Sequence, residues 1–285
     1  MKIIILLMSC NQPLYENEEQ ACRDTFLKDA EEAGVAYYFY KGLNDAHPDQ
    51  CIDEETHTIY LNVNDGLGGT GRKTTAALKA ISGMDYDYVV KTNVSTYLNI
   101  QNLCIAINGW EGSDDENIYG GRFIVNKASK NIPFPRGYFT VLSKKLVNGI
   151  LPYIEKLALS PNMPRTDDTL LSFGLLYYIN KTLGKSYSEK LMEVPSVVSW
   201  DDKIWENPCL GNAMAIRCKN EKDNTKTPEN MLNAHMAVKQ KMRPKDWFLP
   251  ATQFETGYGL MSYGNYVKFD ALFEQIKNAS GKTDG

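Results

Sequence analysis

Three stretches of the sequence combine residue types and spacings that could carry chemistry. GLGGTGRKTT (66–75) sets glycines ahead of two cations, and KTNVSTYLN (91–99) places polar residues after an apolar stretch. Asp167 and Asp168 are adjacent carboxylates at the start of another apolar stretch. Glycine-rich turns that open a helix bind phosphate groups, and a positioned carboxylate can take a proton from a hydroxyl. The first question is therefore which phosphate chemistry, if any, GLGGTGRKTT serves.

The glycine-rich stretch departs by one residue from the phosphate loop of ATPases and GTPases. That loop needs Lys directly after its second glycine, but here Arg72 follows Gly71 and displaces Lys73 by one place. A phosphate-loop NTPase is therefore disfavoured. What remains is a turn before a helix with two cations in its first turn, where free N–H groups and the helix dipole favour an anion. This pattern predicts a phosphate contact, and a flexible connecting loop is the alternative.

Length and composition exclude several classes of protein. The 285 residues, 43% of them hydrophobic, suit one large α/β domain or one domain with an appendage. A formal net charge of −4 gives no electrostatic signature for nucleic acid or an anionic membrane, so we expect neither as a partner. The six cysteines form no C-x-x-C pair, which indicates reduced thiols and no zinc site. No apolar run approaches the ~18 residues of a membrane span.

Apolar and helical patterns alternate along the first third of the chain. They predict strands at 2–8, 35–40, 58–63 and 86–92, and helices at 16–34 and 73–82. This order favours a parallel sheet with right-handed crossovers, which binds ligands at the carboxyl ends of its strands. Farther along, helices are predicted at 100–108, 144–158 and 167–183, and strands at 118–125 and 137–143. The expected class is α/β, with a mixed, mainly parallel central sheet flanked by helices.

The candidate residues also have structural interpretations. Asn93 and Ser95 would suit a turn that caps a helix beginning near Asn99. The paired aspartates at 167–168 would suit a helix N-terminus through the helix dipole alone. His235 is interpreted as structural, and a contact with substrate is the alternative.

Five motifs of one enzyme family occur in the same order along the chain. They are Arg23-Asp24-Thr25-Phe26 for Arg-x-Thr-Trp, Asp65 followed by Lys73-Thr74, Lys91 to Asn99 for Lys-Thr-Asp-Asp-Asp-Val-Phe-Val-Asn, Tyr138 to Ser143 after Gly137 for Gly-x-Tyr-Val-Leu-Ser, and Asp167-Asp168-Thr169 for Glu-Asp-Val. Over residues 20–180 the sequence therefore resembles the inverting β-1,3-glycosyltransferases of carbohydrate-enzyme family 31 and their Fringe relatives. These enzymes have the Rossmann-like GT-A fold.

The resemblance implies transfer of a sugar from a nucleotide-sugar donor to a hydroxyl of a glycan acceptor, with inversion at the anomeric carbon. It implies one GT-A domain over 1–275, with a nucleotide-sugar half at about 1–110, an acceptor and catalytic half at about 111–275, and a flexible tail at 276–285. Asp168 is the expected catalytic base, and Asp167 would orient the acceptor or exchange roles with it. The expected donor-binding residues are Cys10, Asn11, Arg23, Asp65, Arg72, Lys73, Lys91, Thr92, Asn93 and Ser95, and the expected acceptor-binding residues are Gly137, Tyr138 and Phe139.

The sequence departs from the family at the metal-binding motif. The family's triple Asp holds a divalent cation that binds the donor diphosphate, whereas Asn93, Val94 and Ser95 occupy those positions here. Hard cations prefer anionic oxygen ligands, so we expect no metal at this stretch and no other cofactor. Basic side chains would then stabilise the departing diphosphate. The candidates are Arg72, Lys73, Lys91, Arg122 and Arg136. The alternative is a non-catalytic nucleotide- or sugar-binding module on the same fold.

The resemblance also bears on donor and location. A UDP-sugar is the expected donor, and UDP-xylose is one option because the chain is similar to chlorella-virus glycosyltransferases that include a capsid-glycan xylosyltransferase. Eukaryotic relatives are anchored in the Golgi by a membrane segment, and none is recognised in this sequence. We therefore expect a cytoplasmic protein of a bacterium or of a virus-infected host. A homodimer is left open.

Overall fold

The structure is a computed structural model with a central eight-stranded sheet. It describes residues 1–109, 118–124, 134–159, 166–178, 191–193, 197–199, 213–219 and 223–241. The strands are β1 (Ile3–Met8), β2 (Ala36–Gly42), β3 (Cys51–Asp53), β4 (Thr58–Leu61), β5 (Tyr88–Asn93), β6 (Thr96–Leu98), β7 (Tyr119–Ile124), β8 (Phe134–Ser143), β9 (Leu191–Glu193), β10 (Val197–Ser199) and β11 (Ala215–Arg217). The helices are α1 (Pro13–Asp24), α2 (Phe26–Glu32), α3 (Thr70–Ile81), α4 (Ile100–Asn108), α5 (Lys144–Leu159), α6 (Asp167–Tyr178) and α7 (Thr227–Lys241). The predicted tail at 276–285 and the end of the predicted helix, 179–183, lie outside the described residues.

The strand order confirms the predicted α/β class. The sheet runs β3-β4-β2-β1-β5-β8-β7-β9, and its inner strands β4, β2, β1 and β5 are parallel. β8 lies antiparallel between β5 and β7. A second sheet in the described ranges has the order β10-β11-β6. The carboxyl ends of the parallel strands therefore share one edge, where open α/β sheets bind their ligands.

Both faces of the sheet are covered, which explains the unbroken apolar sequence of β1. Ile3, Ile5 and Leu7 pack on one face in a cluster that includes side chains of α1, α2, α4 and α7. Ile4 and Leu6 pack on the other face with α3, α5 and α6. Side chains alternate between the faces of a strand, so a strand buried on both faces needs apolar residues at every position.

The predicted helix at 16–34 is two helices rather than one. Thr25 separates α1 from α2 with φ −118° and ψ −108°, which is not helical geometry. Its hydroxyl donates to the carbonyl oxygen of Ala21 at 2.6 Å, and such bonds from Thr to the preceding turn bend helices. The predicted stop is confirmed, because α2 ends just before Gly34, whose φ is +68°.

The sequence patterns miss the short strands β3, β6, β9, β10 and β11 and the whole of α7. Three-residue strands are too short to show a period, and α7 has only a weak amphipathic pattern. None of the described helices is long and apolar enough to cross a membrane.

A close helix crossing places the first turn of α6. Gly174 of α6 faces Ile154 of α5, and a Cβ atom built on Gly174 would lie 2.1 Å from Ile154 Cγ2. Since real contacts of a Cβ atom are much longer, only glycine allows α5 and α6 to approach this closely. The crossing holds α6 over the sheet, where its N-terminal aspartates face β8.

Replacement of Gly174 by Ala tests this crossing. We expect Gly174→Ala to lower the free energy of unfolding by about 1–3 kcal/mol, because the extra methyl group overpacks the contact with Ile154. Gly83→Ala is the matched control, since Gly83 is exposed and a Cβ there has no neighbour within 4 Å. Urea denaturation of both variants measures the difference, and equal effects would contradict the proposed constraint.

Candidate functional site

Asp65 joins the carboxyl ends of neighbouring strands to helix α3. Its Oδ2 accepts from the backbone N–H of Asn11, which follows β1, at 2.7 Å. Its Oδ1 accepts from the backbone N–H of Gly42, at the end of β2, at 2.9 Å. Lys73 Nζ donates to the same Oδ1 at 2.7 Å and to the carbonyl oxygen of Ser9 at 2.6 Å. The carboxylate therefore fixes the spacing of the edge at which a ligand is expected.

The cations of GLGGTGRKTT contact protein atoms. Lys73 is 2% exposed, so its charge is enclosed with Asp65. Arg72 Nε donates to the carbonyl oxygen of Ala158, at the end of α5, at 2.9 Å. A Cβ built on Gly69 would lie 2.3 Å from the carbonyl oxygen of Asn64. The backbone at 64 and 69 approaches so closely that only glycine fits at position 69, whether or not a ligand binds. The phosphate contact predicted for this turn stays a prediction.

A second buried lysine ties three elements together. Lys91 of β5 is fully buried and donates from Nζ both to Asp167 Oδ2 on α6 and to the carbonyl oxygen of Gly137 on β8. Asp167 is itself 6% exposed. Next to Lys91, the Thr92 hydroxyl donates to the carbonyl oxygen of Tyr138 at 2.7 Å. The start of α6 and the Gly137–Tyr138 segment are therefore held against the end of β5.

Asp168 is the partly buried neighbour of this ion pair. Burial raises the pKa of its carboxyl above the ordinary value, and the charge of Asp167 raises it further. Its Oδ1 accepts from the backbone N–H of Thr169 at 2.7 Å. A Cβ built on Gly137 would lie 3.5 Å from Oδ2 of both aspartates, so the Gly137 backbone lies directly beside the two carboxyl groups. A carboxylate with a raised pKa suits proton abstraction near neutral pH.

The stretch at 93–95 forms a turn rather than a carboxylate cluster. Asn93 Oδ1 accepts from the hydroxyls of Ser95 and Thr96 at 2.9 and 2.8 Å, which confirms the turn. The prediction that Asn93 and Ser95 cap the next helix is wrong, because the side chain of Asn99 accepts from the backbone N–H of Asn102 at the start of α4. Val94 is 1% exposed and belongs to the core. Among the residues that the structure describes, no group of three or more His, Cys, Asp or Glu side chains could hold a metal ion.

Arg217 joins this turn although no sequence motif indicates it. β11 pairs with β6, which brings Arg217 opposite Thr96, and Nη1 donates to Asn93 Oδ1 at 3.4 Å. The guanidinium carbon lies 5.3 Å from the centre of the Tyr138 ring. The sequence feature that could have indicated Arg217 is AMAIRCK (213–219). Its short apolar run is typical of a strand, and the run is followed by two cations.

Glu18 of α1 is a buried carboxyl close to Arg217. It is 3% exposed, and burial raises its pKa to about 7. A hydrogen bond with the Thr227 side chain and the charges of Lys219 and Arg217 oppose that shift. Its neighbour Glu19 accepts from Lys41 Nζ at 2.9 and 3.1 Å. Glu19 therefore ties α1 to the end of β2, whereas Glu18 faces the start of α7.

Other predicted residues lie apart from this cluster or are enclosed. Arg23 donates to the carbonyl oxygen of Thr56, just before β4, and its guanidinium lies 4.5 Å from the centre of the Phe39 ring. It therefore stands near the amino end of β4 rather than at the carboxyl edge. Cys10 is at that edge, but burial raises the pKa of its thiol to about 11. His235 Nδ1 lies 3.4 Å from the Tyr97 hydroxyl oxygen, and its structural interpretation stays a prediction.

Three further sequence candidates are Phe139, Arg136 and Arg122. Phe139 is fully buried in the core beside Tyr138. Arg136 is partly buried on β8, and its Nε has no hydrogen-bond partner. The side chain of Arg122 lies outside the described residues.

Comparison with solved structures agrees with the architecture. A crystal structure of a glycosyltransferase involved in the glycosylation of the major capsid of PBCV-1 matches with a TM-score of 0.50 and 12% identity. The match covers 82% of this chain and 100% of that chain. At this identity the likeness shows the fold alone. No protein-family model matches the chain, and neither does any curated protein.

Lys91→Met tests the buried ion pair. We expect it to lower the free energy of unfolding by about 3–5 kcal/mol, because Asp167 is left without its cation. The double variant Lys91→Met/Asp167→Asn should recover part of that loss. Lys79→Met is the control, since its pair with Glu155 is exposed and contributes at most about 1 kcal/mol. If the stability losses of Lys91→Met and Asp167→Asn simply add in the double variant, Lys91 and Asp167 are not directly coupled.

Glu18→Gln tests the buried carboxyl through pH dependence. Because the folded pKa of Glu18 is raised, the folded protein keeps a proton that the unfolded chain releases between about pH 4.5 and about pH 7. Stability contributed by this proton is present below that range and is lost as pH rises through it. The Glu18→Gln variant lacks this titration and keeps its stability. The difference in free energy of unfolding between the variant and the native chain should therefore grow in the variant's favour as pH rises from 4 to 8, by up to roughly 2–3 kcal/mol. Denaturation across this range measures the change, and Glu16→Gln, exposed on the same helix, should show none.

Proposed function

We propose that the protein is an inverting glycosyltransferase that uses a nucleotide-sugar donor and Asp168 as its general base. The observation that carries the proposal is the position of Asp168. It is a partly buried carboxyl of raised pKa, next to the ion-paired Asp167 and beside Gly137. The structural likeness to a glycosyltransferase supports the same class of reaction on this fold.

The two aspartates have different roles in this proposal. Lys91 engages Asp167, which then orients Asp168 and raises its pKa. Asp168 takes the proton from an acceptor hydroxyl as that oxygen forms a bond to the anomeric carbon of the donor. The bond from this carbon to the diphosphate oxygen breaks, and the nucleoside diphosphate departs. A single displacement of this kind inverts the anomeric carbon and needs one base.

The donor is proposed to lie along the carboxyl edge of β1, β2 and β5. Cys10, Asn11 and Asp65 border this edge, and the acceptor would approach Gly137 and Tyr138 on the side of Asp168. A UDP-sugar donor, UDP-xylose as one option, and a glycan acceptor are proposals that rest on the sequence resemblance. The proposal includes no metal at 93–95, because that turn carries no carboxylate.

A non-catalytic binding module is the second candidate. It is favoured by one observation, that Lys73 and Lys91 contact internal carboxylates. A site with few cations left for a departing diphosphate would bind a nucleotide or a sugar without accelerating transfer.

Incubation with a panel of nucleotide sugars distinguishes the two candidates. The full chain is mixed with UDP-, GDP- and dTDP-sugars in the presence of EDTA, and release of the nucleoside diphosphate is followed. Turnover that persists in EDTA supports the transferase, whereas binding without turnover supports the module. Activity that strictly requires magnesium or manganese would overturn the metal-free proposal.

Asp168→Asn tests the general base. Transfer should fall about 10²–10⁴-fold, because the amide cannot accept the acceptor's proton, while affinity for the nucleoside diphosphate changes by less than about twofold. Asp24→Asn, an exposed replacement of the same type on α1, should change neither. Transfer rates and calorimetric titration with UDP give the two readouts. Loss of both in Asp168→Asn would indicate a structural role instead.

A further inference from the structure

A cavity lies between helices α2 and α4, away from the candidate base. Its volume is about 460 Å³, within the range of about 300–1,000 Å³ that is usual for sites that bind small molecules. Both helices pack in the cluster that covers one face of β1, whereas α6 packs on the other face. This cavity, which we call the α2–α4 groove, is therefore separate from Asp167 and Asp168.

One face of α4 forms the first wall of the groove. It carries Gln101, Cys104, Ile105 and Asn108, which follow the i, i+3, i+4, i+7 spacing of neighbours on a helix surface. The two polar residues lie at the ends of this stripe, and Cys104 and Ile105 lie between them. The wall is thus apolar in the middle and polar at both ends.

α2 and the end of α7 complete the groove. α2 contributes Asp29, Glu32 and Ala33, at the spacing i, i+3, i+4. Lys239 of α7 also lines the groove, and its Nζ donates to Asp29 Oδ1 at 2.8 Å. This ion pair ties α7 to α2 across one end of the groove.

The polar and apolar groups of the groove match the chemistry of a sugar. Glu32, Gln101 and Asn108 are exposed, so their polar atoms can reach a ligand, whereas Cys104 and Ile105 are partly buried. Amide side chains both donate and accept hydrogen bonds, and a carboxylate accepts them, as hydroxyl groups require. The apolar atoms between them can bury the C–H face of a sugar ring.

The charge of the groove disfavours an anionic ligand. Asp29 and Glu32 carry two negative charges, and Lys239, which is already paired with Asp29, carries one positive charge. The charge that remains is negative and would repel a phosphate group. The ligand class that fits both the charge and the hydrogen-bonding groups is therefore neutral and rich in hydroxyls.

We propose that the α2–α4 groove binds a neutral oligosaccharide and anchors the glycan acceptor at a distance from its reacting end. The anchoring role rests on the proposed transferase function, whereas the binding itself does not. A second attachment point raises the effective concentration of the reacting hydroxyl at the base without a new contact there. The groove thus adds a substrate site on the face of the sheet opposite Asp168.

The alkylation rate of Cys104 tests whether an oligosaccharide occupies the groove. The native chain is treated with iodoacetamide at rising concentrations of xylohexaose, cellohexaose or mannohexaose, and mass spectrometry follows each cysteine. Burial raises the pKa of the Cys104 thiol, so an alkaline buffer provides the reactive thiolate. At least one oligosaccharide should slow alkylation of Cys104, by about tenfold at ten times its Kd. Cys51, a partly exposed thiol on β3, is the internal control and should react at an unchanged rate.

Two variants test which side chains hold the oligosaccharide. Asn108→Ala and Gln101→Ala should each weaken its affinity about 3- to 10-fold, because each removes one hydrogen-bonding group. Asn233→Ala, an exposed amide on α7 outside the groove, is the matched control and should bind as the native chain does. Near-UV circular dichroism reports whether each variant keeps the fold. UDP, which is anionic, should leave the alkylation of Cys104 unchanged.

The outcomes separate this inference from the proposed function. If no oligosaccharide protects Cys104, or if the apolar dye anilinonaphthalene sulfonate alone does, the inference is wrong, and turnover of a nucleotide sugar leaves the transferase proposal standing. Protection that is equal in the native chain and in both groove variants places the oligosaccharide elsewhere and also overturns the inference. If Cys104 is protected as expected but no donor is turned over, the groove binds glycan and the transferase proposal, with its anchoring role, fails.

Discussion

The buried contact between Lys91 and Asp167 is the interaction on which the candidate site depends. It joins the end of β5 to the first turn of α6, and the second bond of Lys91, to the carbonyl oxygen of Gly137, adds β8. Removing two charges from water costs several kcal/mol per ion, which is offset only by close pairing and further hydrogen bonds. Because Asp168 is the next residue of the same helical turn, this pairing also places the proposed base.

Burial determines the role of the two lysines at this edge of the sheet. Lys73 and Lys91 are enclosed and contact carboxylates, so they hold strand ends and helix starts in register. In a low-dielectric site an enclosed ion pair adds little field for a ligand. The two buried pairs therefore position the backbone of the proposed site.

Much of the fold follows from local patterns. β1 is apolar at each position because both faces of the sheet are covered, and the carboxyl-edge location of the site follows from the alternation of strands and helices. The break at Thr25 could not be predicted, because it depends on a hydroxyl bonding to the preceding turn. Motif matching selected Lys73 and Lys91 as candidate cations but could not show that each has a carboxylate partner. It also missed Arg217, which reaches the site only through pairing of β11 with β6.

The sequence by itself determined the α/β class, the paired aspartates at a helix start and the absence of carboxylates at 93–95. These features depend on residue type and short-range period, which the chain carries in any conformation. Tertiary structure alone decided which charges meet, since Lys91 and Asp167 are 76 residues apart and Arg217 lies 124 residues from Asn93. Whether a cation is enclosed with a carboxylate depends on such long-range pairings, and burial changes the strength of every charge interaction.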